Sequence, residues 1–198
     1  MDHKKLAELL FPDIDKTPED YEKIYPERDL AEGSVVTRLA PSPTGYIHLG
    51  NLYGAMVDER LAHQGGGVCY LRIEDTDEKR EVEGAVPVLL DTLSYFGIEF
   101  DEGACKAGTP GSEPVPSEEG AAQRGAYGPY WQSMRSSIYK ACVKKLVAEG
   151  KAYPCFMTEE EIADIRAAQT AAKLDPGIYG QYAKHRDLTL EEVERRLA

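Results

Sequence analysis

Between Arg38 and Ala55 the chain reads RLAPSPTGYIHLGNLYGA. An apolar, strand-like run gives way to two prolines, a glycine and a single histidine, and a helix-like run follows at once. In an open parallel sheet, ligands bind outside the carboxyl ends of the strands, where the next helix offers free N–H groups and the positive end of its dipole. His48 stands at such a join. Gly45 and Gly50 carry no side chain, so a bulky ligand can approach the backbone closely, and Pro41 and Pro43 stiffen the turn that holds them. The pattern fits a nucleotide-phosphate site, although a lone histidine beside two glycines also fits an ordinary turn.

The elements that would position these residues follow from hydrophobic period. VVTRLA is a short apolar run closed by Pro41, read as a buried strand. Residues 48–64 read as a helix in which Leu49, Leu52, Tyr53, Met56, Val57 and Leu61 form one apolar stripe, stopped by the glycines at 65–67. VCYLRIED is apolar on both alternating faces, as expected of a parallel strand covered on two sides. A further helical stretch uses Val82, Val86, Leu89, Leu90, Leu93 and Phe96, with Pro87 in its first turn or at a kink. Strand, helix, strand, helix predicts a doubly wound α/β sheet. Residues 101–128, rich in Gly, Pro, Ser and Glu, read as a long mobile surface loop. A helix through Tyr139, Cys142, Val143, Leu146 and Val147 comes next. It is followed by a strand at KAYPCFM, a helix opened by Thr158 with Glu161 as a capping box, and a last helix at LTLEEVERRL. Residues 1–32 read as an extension with a capped helix start at Thr17 and Pro18 and little from which to build a core.

Bulk properties bound the function. The 198 residues are 42% hydrophobic and 29% charged, with a net charge of −12, values of an ordinary globular protein. No apolar run reaches the ~20 residues needed to span a bilayer, and the N-terminus lacks the order of a secretory signal, so no membrane association and a cytoplasmic location are expected. Four cysteines at irregular intervals argue for reduced, buried thiols rather than disulfides. Residues 1–32 hold 10 acids against 5 bases and residues 99–119 hold 6 against 1, whereas the rest has 19 against 17. The acidity is therefore peripheral, and an anionic partner remains compatible with the nearly neutral body.

PSPTGYIHLGN resembles the P-x-P-[TN]-G-x-x-H-x-G-H signature of class I aminoacyl-tRNA synthetases, and RIEDTD at 72–77 resembles the motif that follows it in bacterial-type glutamyl-tRNA synthetases. FDEG at 100–103, GPYWQS at 128–133 and EGKAYPCF at 149–156 are further pieces similar to that family, so the resemblance runs from residue 34 to about 198. It implies a Rossmann-like nucleotide-binding fold, of which this chain holds the first part, over residues 33–145. The start of an inserted α/β domain that binds the tRNA acceptor stem would occupy 146–198. It implies glutamate, ATP with Mg2+, and tRNA(Glu) as partners of a monomeric glutamate–tRNA ligase. By position, His48 and Gly50 match the catalytic signature, and Pro43, Thr44, Gly45, His48, Gly50 and Asn51 match the ATP loop. Arg38, Ala40, Ser42 and Glu74 match the glutamate site, and Asp77 matches a contact to the tRNA 3′ end. Asn51 departs from the second signature histidine but keeps an amide donor. Arg72 and Glu74 share one strand face, so a salt bridge between them is the competing structural account of Glu74. The pair PSPTG and RIEDTD favours the glutamyl branch over the glutaminyl one, which resembles PEPNG with an FDDTN-type motif.

The match has gaps. No KMSKS-like loop occurs, and later strands and an anticodon-binding domain are lacking, so the chain is expected to be the N-terminal part of a longer synthetase, inactive alone. Some relatives place zinc on a Cys-x-Cys pair and later ligands; Cys155 with Tyr182 and His185 is too poor a set, and no metal is expected. The alternatives are a glutamyl-queuosine tRNA synthetase, a binding-only module for ATP or an acceptor stem, and another nucleotidyltransferase with an H-x-G-H loop.

Overall fold

A computed structural model describes residues 2–198. The chain divides into two compact units, one from residues up to Pro18 together with Tyr139–Ala198, the other Glu19–Ile138.

In the Glu19–Ile138 unit, β1 (Val36–Leu39), α3 (Leu49–Gln64), β2 (Val68–Leu71), α4 (Ala85–Tyr95) and β3 (Glu102–Lys106) follow one another after α2 (Pro18–Ile24). β1 pairs with β2 and β2 with β3, both in parallel, with Arg38 opposite Tyr70 and Leu71 opposite Gly103. This strand–helix–strand–helix alternation is the one read from the sequence, and the parallel β1–β2–β3 order is the first part of the α/β, Rossmann-like fold that the resemblance implies. Leu71 and Ile73 point into a core closed by Val86, Leu89, Leu90 and Leu93 of α4 and by Trp131. Pro87 sits in the first turn of α4, where its missing N–H costs no helical bond.

Two expectations are corrected here. The stretch 101–128 is not a mobile loop: β3, β4 (Glu113–Pro114) and β5 (Ala121–Arg124) lie within it, and β5 runs antiparallel between β3 and β4. Its buried residues are mostly small, Ala104, Ala121 and Ala122 with Val115, so no hydrophobic period marks the strands. The glycines serve as structure. A Cβ on Gly103 would lie 2.1 Å from the Leu71 carbonyl oxygen, so only glycine lets β3 come this close to β2. The α3 stripe is also corrected. Leu49 is 80% and Tyr53 65% exposed, while the buried residues are Ala55, Glu59 and Ala62. Small residues let α3 lie close to β1, where the Thr37 hydroxyl donates to the Asp58 carbonyl at 2.8 Å.

At the foot of α3 a polar clamp ties the helix to the sheet. His63 hydrogen-bonds Glu59 through Nδ1 and Asp101 through Nε2, each at 3.0 Å, and Asp101 also accepts the Cys69 N–H at 2.7 Å. A second polar group joins Arg28, which forks onto Glu102 at 2.5 and 2.7 Å, to the Tyr130 hydroxyl on the same carboxylate. The Arg28 guanidinium lies 3.7 Å from the centroid of the Tyr127 ring. Burial pushes Glu102 up, but Arg28 and Tyr130 outweigh it and hold the carboxyl below its ordinary range. Burial and the bond to Glu102 push the Tyr130 phenol up.

The other unit contains α1 (His3–Leu10), most of α5 (Ser136–Ala148), α6 (Glu159–Ala171) and α7 (Leu190–Leu197). Thr158 with Glu161 and Thr189 with Glu192 form the reciprocal bonds of capping boxes, so the helix starts read from sequence are correct. KAYPCFM is not a strand. Pro154 lacks a donor, the Phe156 N–H goes to His185 Nδ1 at 3.0 Å, and Ala152 and Phe156 pack on the unit's core. Nor is the start of the chain an extension without a core. Leu6 and Ala7 of α1 are buried with Val147 and Val193. Of the cysteines, Cys69 is buried, Cys105 half-buried, and Cys142 and Cys155 are exposed, all as free thiols; the expectation of four buried thiols holds for Cys69.

Two outcomes follow from these contacts. Leu6→Ala empties a fully buried site and is expected to cost about 2–5 kcal/mol, read as faster amide exchange in α7, whose Val193 shares that core. Asp101 above all, and Glu59 less, raise the His63 pKa above 6.5 against the opposing effect of burial. The protonated clamp therefore stabilises the fold fully below the unfolded-state value, and that contribution is lost as pH rises through the higher folded-state value. Melting temperature should fall as pH climbs above 6.5 in the wild type, and His63→Gln should flatten that slope; an unchanged slope would remove the clamp as its cause.

Candidate functional site

The carboxyl ends of β1 and β2 lie side by side, and the pairing continues beyond the strands. The Arg72 N–H donates to the Leu39 carbonyl at 3.0 Å and the Glu74 N–H to the Pro41 carbonyl at 2.9 Å. On the far side of this strip, the Ile73 N–H donates to the Tyr130 carbonyl and the Gln132 N–H to the Ile73 carbonyl, both at 2.9 Å. The residues after β2 are thus held from both edges. Arg38 and Glu74, two ladder steps from each other's partners, come to one face of the sheet by the period of two.

Glu74 Oε1 lies 2.7 Å from Arg72 Nη2 and 3.6 Å from Arg38 Nη1. The salt bridge to Arg72 foreseen as the competing account is formed. It leaves the Arg38 guanidinium at ion-pair distance beyond hydrogen-bond range, 39% exposed, with donors available to another anion. Two cations thus meet one carboxylate at this corner of the sheet, in a chain that is acidic as a whole.

The loop leaving β1 encloses a cavity of about 290 Å³ lined by Ser42, Pro43, Thr44, Gly45, His48 and Asn51, with Ile73, Ala85, Val86 and Leu89 as an apolar wall. His48 is the N-cap of α3, and its ring bends back so that Nδ1 accepts the Gly50 N–H at 3.2 Å. Asn51 Oδ1 accepts the His48 N–H at 3.2 Å, completing a capping box. These bonds decide the chemistry each group retains. With Nδ1 an acceptor, the neutral ring carries its proton on Nε2, which is left as a donor. With its carbonyl oxygen used, Asn51 keeps its NH2 end as a donor.

Gly50 has a reason beyond ligand access. A Cβ there would lie 3.1 Å from Cε1 and 3.2 Å from Nδ1 of His48, so glycine makes room for the folded-back imidazole. At Gly45 an added Cβ would meet nothing within 4 Å, and the bare backbone borders the cavity. Of the residues singled out from sequence, the structure gathers Ser42, Pro43, Thr44, Gly45, His48 and Asn51 around one cavity and Arg38 with Glu74 beside it. Gly50 shapes the imidazole from behind. Ala40 links Leu39 to Pro41 within the strip. Asp77 is drawn into an ion pair with Arg80 and is not among the residues that line the cavity. The apolar wall from α4 was not foreseen: its helical period was visible, but period alone does not say which cavity a face will border.

Among the described residues no group of three His, Cys, Asp or Glu side chains could hold a metal ion. His185 is turned inward, bonded to the Phe156 N–H and edge-on to the Phe156 ring at 5.7 Å.

Gly50→Ala tests the ring geometry directly. The methyl group gains about 1 kcal/mol of helix propensity while displacing the imidazole, so stability should change little. The ¹⁵N shifts of His48 should move from a protonated Nε2 toward a mixture of tautomers. A tautomer unaltered by the substitution would show that Gly50 does not set the ring.

Comparison with known proteins places this geometry. Residues 34–197 match the family model of class I tRNA synthetases (E and Q), catalytic domain. The chain is 54% identical over 198 residues to a glutamate–tRNA ligase of Acetivibrio thermocellus and 52% identical over 197 residues to one of Clostridium perfringens, matching all of this chain and 34% of each relative. It therefore spans about a third of the length of the curated relatives it matches. A crystal structure of a glutamate–tRNA synthetase from Elizabethkingia anophelis is similar with a TM-score of 0.63 and 34% identity, covering 83% of this chain and 30% of that one. A glutamate–tRNA ligase from Elizabethkingia meningosepticum, solved in complex with its amino acid, is similar to the same degree. With the family model matching well over half of its residues, the chain belongs to the class I tRNA synthetases of the E and Q group, within their catalytic domain.

Proposed function

We propose that this chain is the part of a glutamate–tRNA ligase that receives ATP and glutamate and supports adenylate formation. The observation that carries the reading is the adjacency of two complementary sets of groups. His48 and Asn51, each with a donor left over, line one cavity at a helix start, and Arg38 and Glu74 form an unequally satisfied ion pair on the two strands whose ends carry it.

Pro43, Thr44, Gly45, His48, Gly50 and Asn51 form the ATP loop, with Mg2+ travelling on the phosphates. Arg38 takes the side-chain carboxylate of glutamate by a two-point fork, Glu74 takes its ammonium, and Ser42 with the backbone at Ala40 lies along its main chain. The zwitterionic substrate exchanges the loose Arg38–Glu74 attraction for two closer ones of the same sign. The α-carboxylate oxygen of glutamate then bonds to the α-phosphorus of ATP as pyrophosphate departs. A ribose hydroxyl at the tRNA 3′ end next bonds to the acyl carbon as AMP departs, its proton passing to the medium. Asp77 contacts that tRNA end. Such chemistry consists of positioning and electrostatic stabilisation, so neutral donors such as the Nε2–H of His48 suffice where charge develops on phosphate.

The reading extends to the domains: residues 33–145 as the first part of the catalytic fold, with 146–198 the start of the acceptor-binding insertion. It also includes a cytoplasmic monomer without zinc. Glutamate-dependent ATP–pyrophosphate exchange by the full gene product, with tRNA present, is the test. His48→Ala should lower exchange by well over tenfold, with melting temperature falling only by the few degrees that loss of the helix cap entails. Exchange at close to the wild-type rate would remove His48 from the reaction.

A further inference from the structure

Beyond Glu74 the β2 strip is tied to residues 132 and 133 by side chains. On the side of residues 130–132, the last backbone bond tying the β2 strip to its neighbour is Gln132 N–H to the Ile73 carbonyl at 2.9 Å, while on the β1 side the Glu74 N–H still bonds the Pro41 carbonyl. One residue past Glu74, the ladder is carried on by a side chain: Asp75 Oδ1 accepts the Ser133 N–H at 2.8 Å and Oδ2 accepts the Ser133 hydroxyl at 2.5 Å. The Thr76 hydroxyl adds a longer bond to Gln132 Oε1 at 3.4 Å. The segment that receives these bonds is firmly placed, because Tyr130 and Trp131 are 2% and 1% exposed and Ile73 pairs with Trp131 as an isolated parallel bridge.

Glu74 is therefore bracketed by Ile73, locked through backbone bonds, and Asp75, locked through both carboxylate oxygens. The carboxylate between them is met by Arg72 at 2.7 Å, and the brackets on either side set the backbone from which it reaches that partner. If Asp75 were freed, Glu74 could turn about its N–Cα bond, which carries Cβ and the following backbone together, and a carboxylate several bonds out would swing by a distance comparable to a hydrogen bond. Displacements of that size are costly in a site that works by alignment.

We infer that Asp75 is a positioning residue for glutamate recognition, acting through Ser133 to fix Glu74. This rests on the proposed role of Glu74. It predicts a specific kinetic signature. Asp75→Ala in the full gene product should raise KM for glutamate about tenfold or more, while KM for ATP and kcat stay within about twofold, since the ATP loop hangs from β1 and α3 rather than from Ser133. Asp75→Asn should restore KM to within about threefold of wild type. Its Oδ1 still accepts the Ser133 N–H, and its NH2 donates to the Ser133 hydroxyl oxygen.

Ser133→Ala, which removes one of the two bonds, should shift the glutamate KM in the same direction by a smaller factor, and serves if Asp75→Ala does not fold. An unchanged glutamate KM in both Asp75→Ala and Ser133→Ala would overturn the inference. So would equal damage from Asn and Ala, which would mean that the charge of Asp75 acts on substrate itself, or a parallel loss for ATP, which would mean general disorder of the fold. Wild-type protein without glutamate-dependent exchange would instead defeat the functional reading on which the inference stands.

Discussion

Parallel pairing of β1 with β2 is the constraint on which the site depends. Parallel strands end at the same edge, so once Arg38 is opposite Tyr70, the two loops leaving the sheet must depart together. One carries the helix start with His48; the other carries Glu74. The pairing persists to the bond between Glu74 and Pro41, which makes the loop of one strand a structural support for the loop of the next. A register slip of one residue would turn Arg38 and Glu74 to the helix-covered face and Leu71 and Ile73 away from the core they fill. The hydrophobic burial that holds the sheet thus also selects the face on which the charges appear.

Around that constraint the polar residues have roles fixed by satisfaction rather than by proximity to a ligand. The imidazole of His48 caps its own helix and is left with one donor. The amide of Asn51 does the same with the opposite end of its dipole. Arg72 neutralises Glu74 at 2.7 Å while Arg38 remains at 3.6 Å, so of two arginines that could meet an incoming anion, the less committed one is better suited. Away from this edge, Arg28 is held on Glu102 and over Tyr127, which explains how a stretch read as a peripheral extension comes to contribute to the Glu19–Ile138 unit.

How much of this was legible in the sequence depends on side-chain size. Strands and helices built from large apolar residues, such as VCYL and the α4 run, announce themselves by period, and Thr158 with Glu161 announces a helix start by chemistry. Where contact is made by small residues, the signal vanishes. Ala55 and Ala62, not the larger Leu49 and Tyr53, seat α3 on the sheet, and alanines with Gly103 seat β3 and β5. A glycine-rich, proline-rich stretch then reads as disorder although its glycines are turn positions: Gly108, Gly111 and Gly120 all have positive φ, which other residues adopt only with strain. The site was more readable than the fold around it, because motif spacing fixes which residues converge. The wall from α4 and the bonds of Asp75 to Ser133 join residues far apart in sequence, and no local pattern encodes them.

The charge distribution completes the physical case. A chain of net charge −12 is an unpromising partner for any polyanion if charge is averaged over the surface. Attraction between ions, however, is screened within about 8–10 Å at physiological salt, so a phosphate at the sheet edge responds chiefly to the groups nearest it. There Arg38 and Arg72 offset Glu74 and the neighbouring Asp75, and the donors of His48 and Asn51 add no negative charge. Much of the excess acid lies in residues 1–32 and 99–119, where part of it is already spent internally: Glu102 on Arg28, Asp101 on His63, Glu8 on Lys144. Net charge therefore governs the long-range repulsion of a polyanion, and with it the salt dependence of encounter, while affinity at the site is governed by which cations the fold leaves least satisfied.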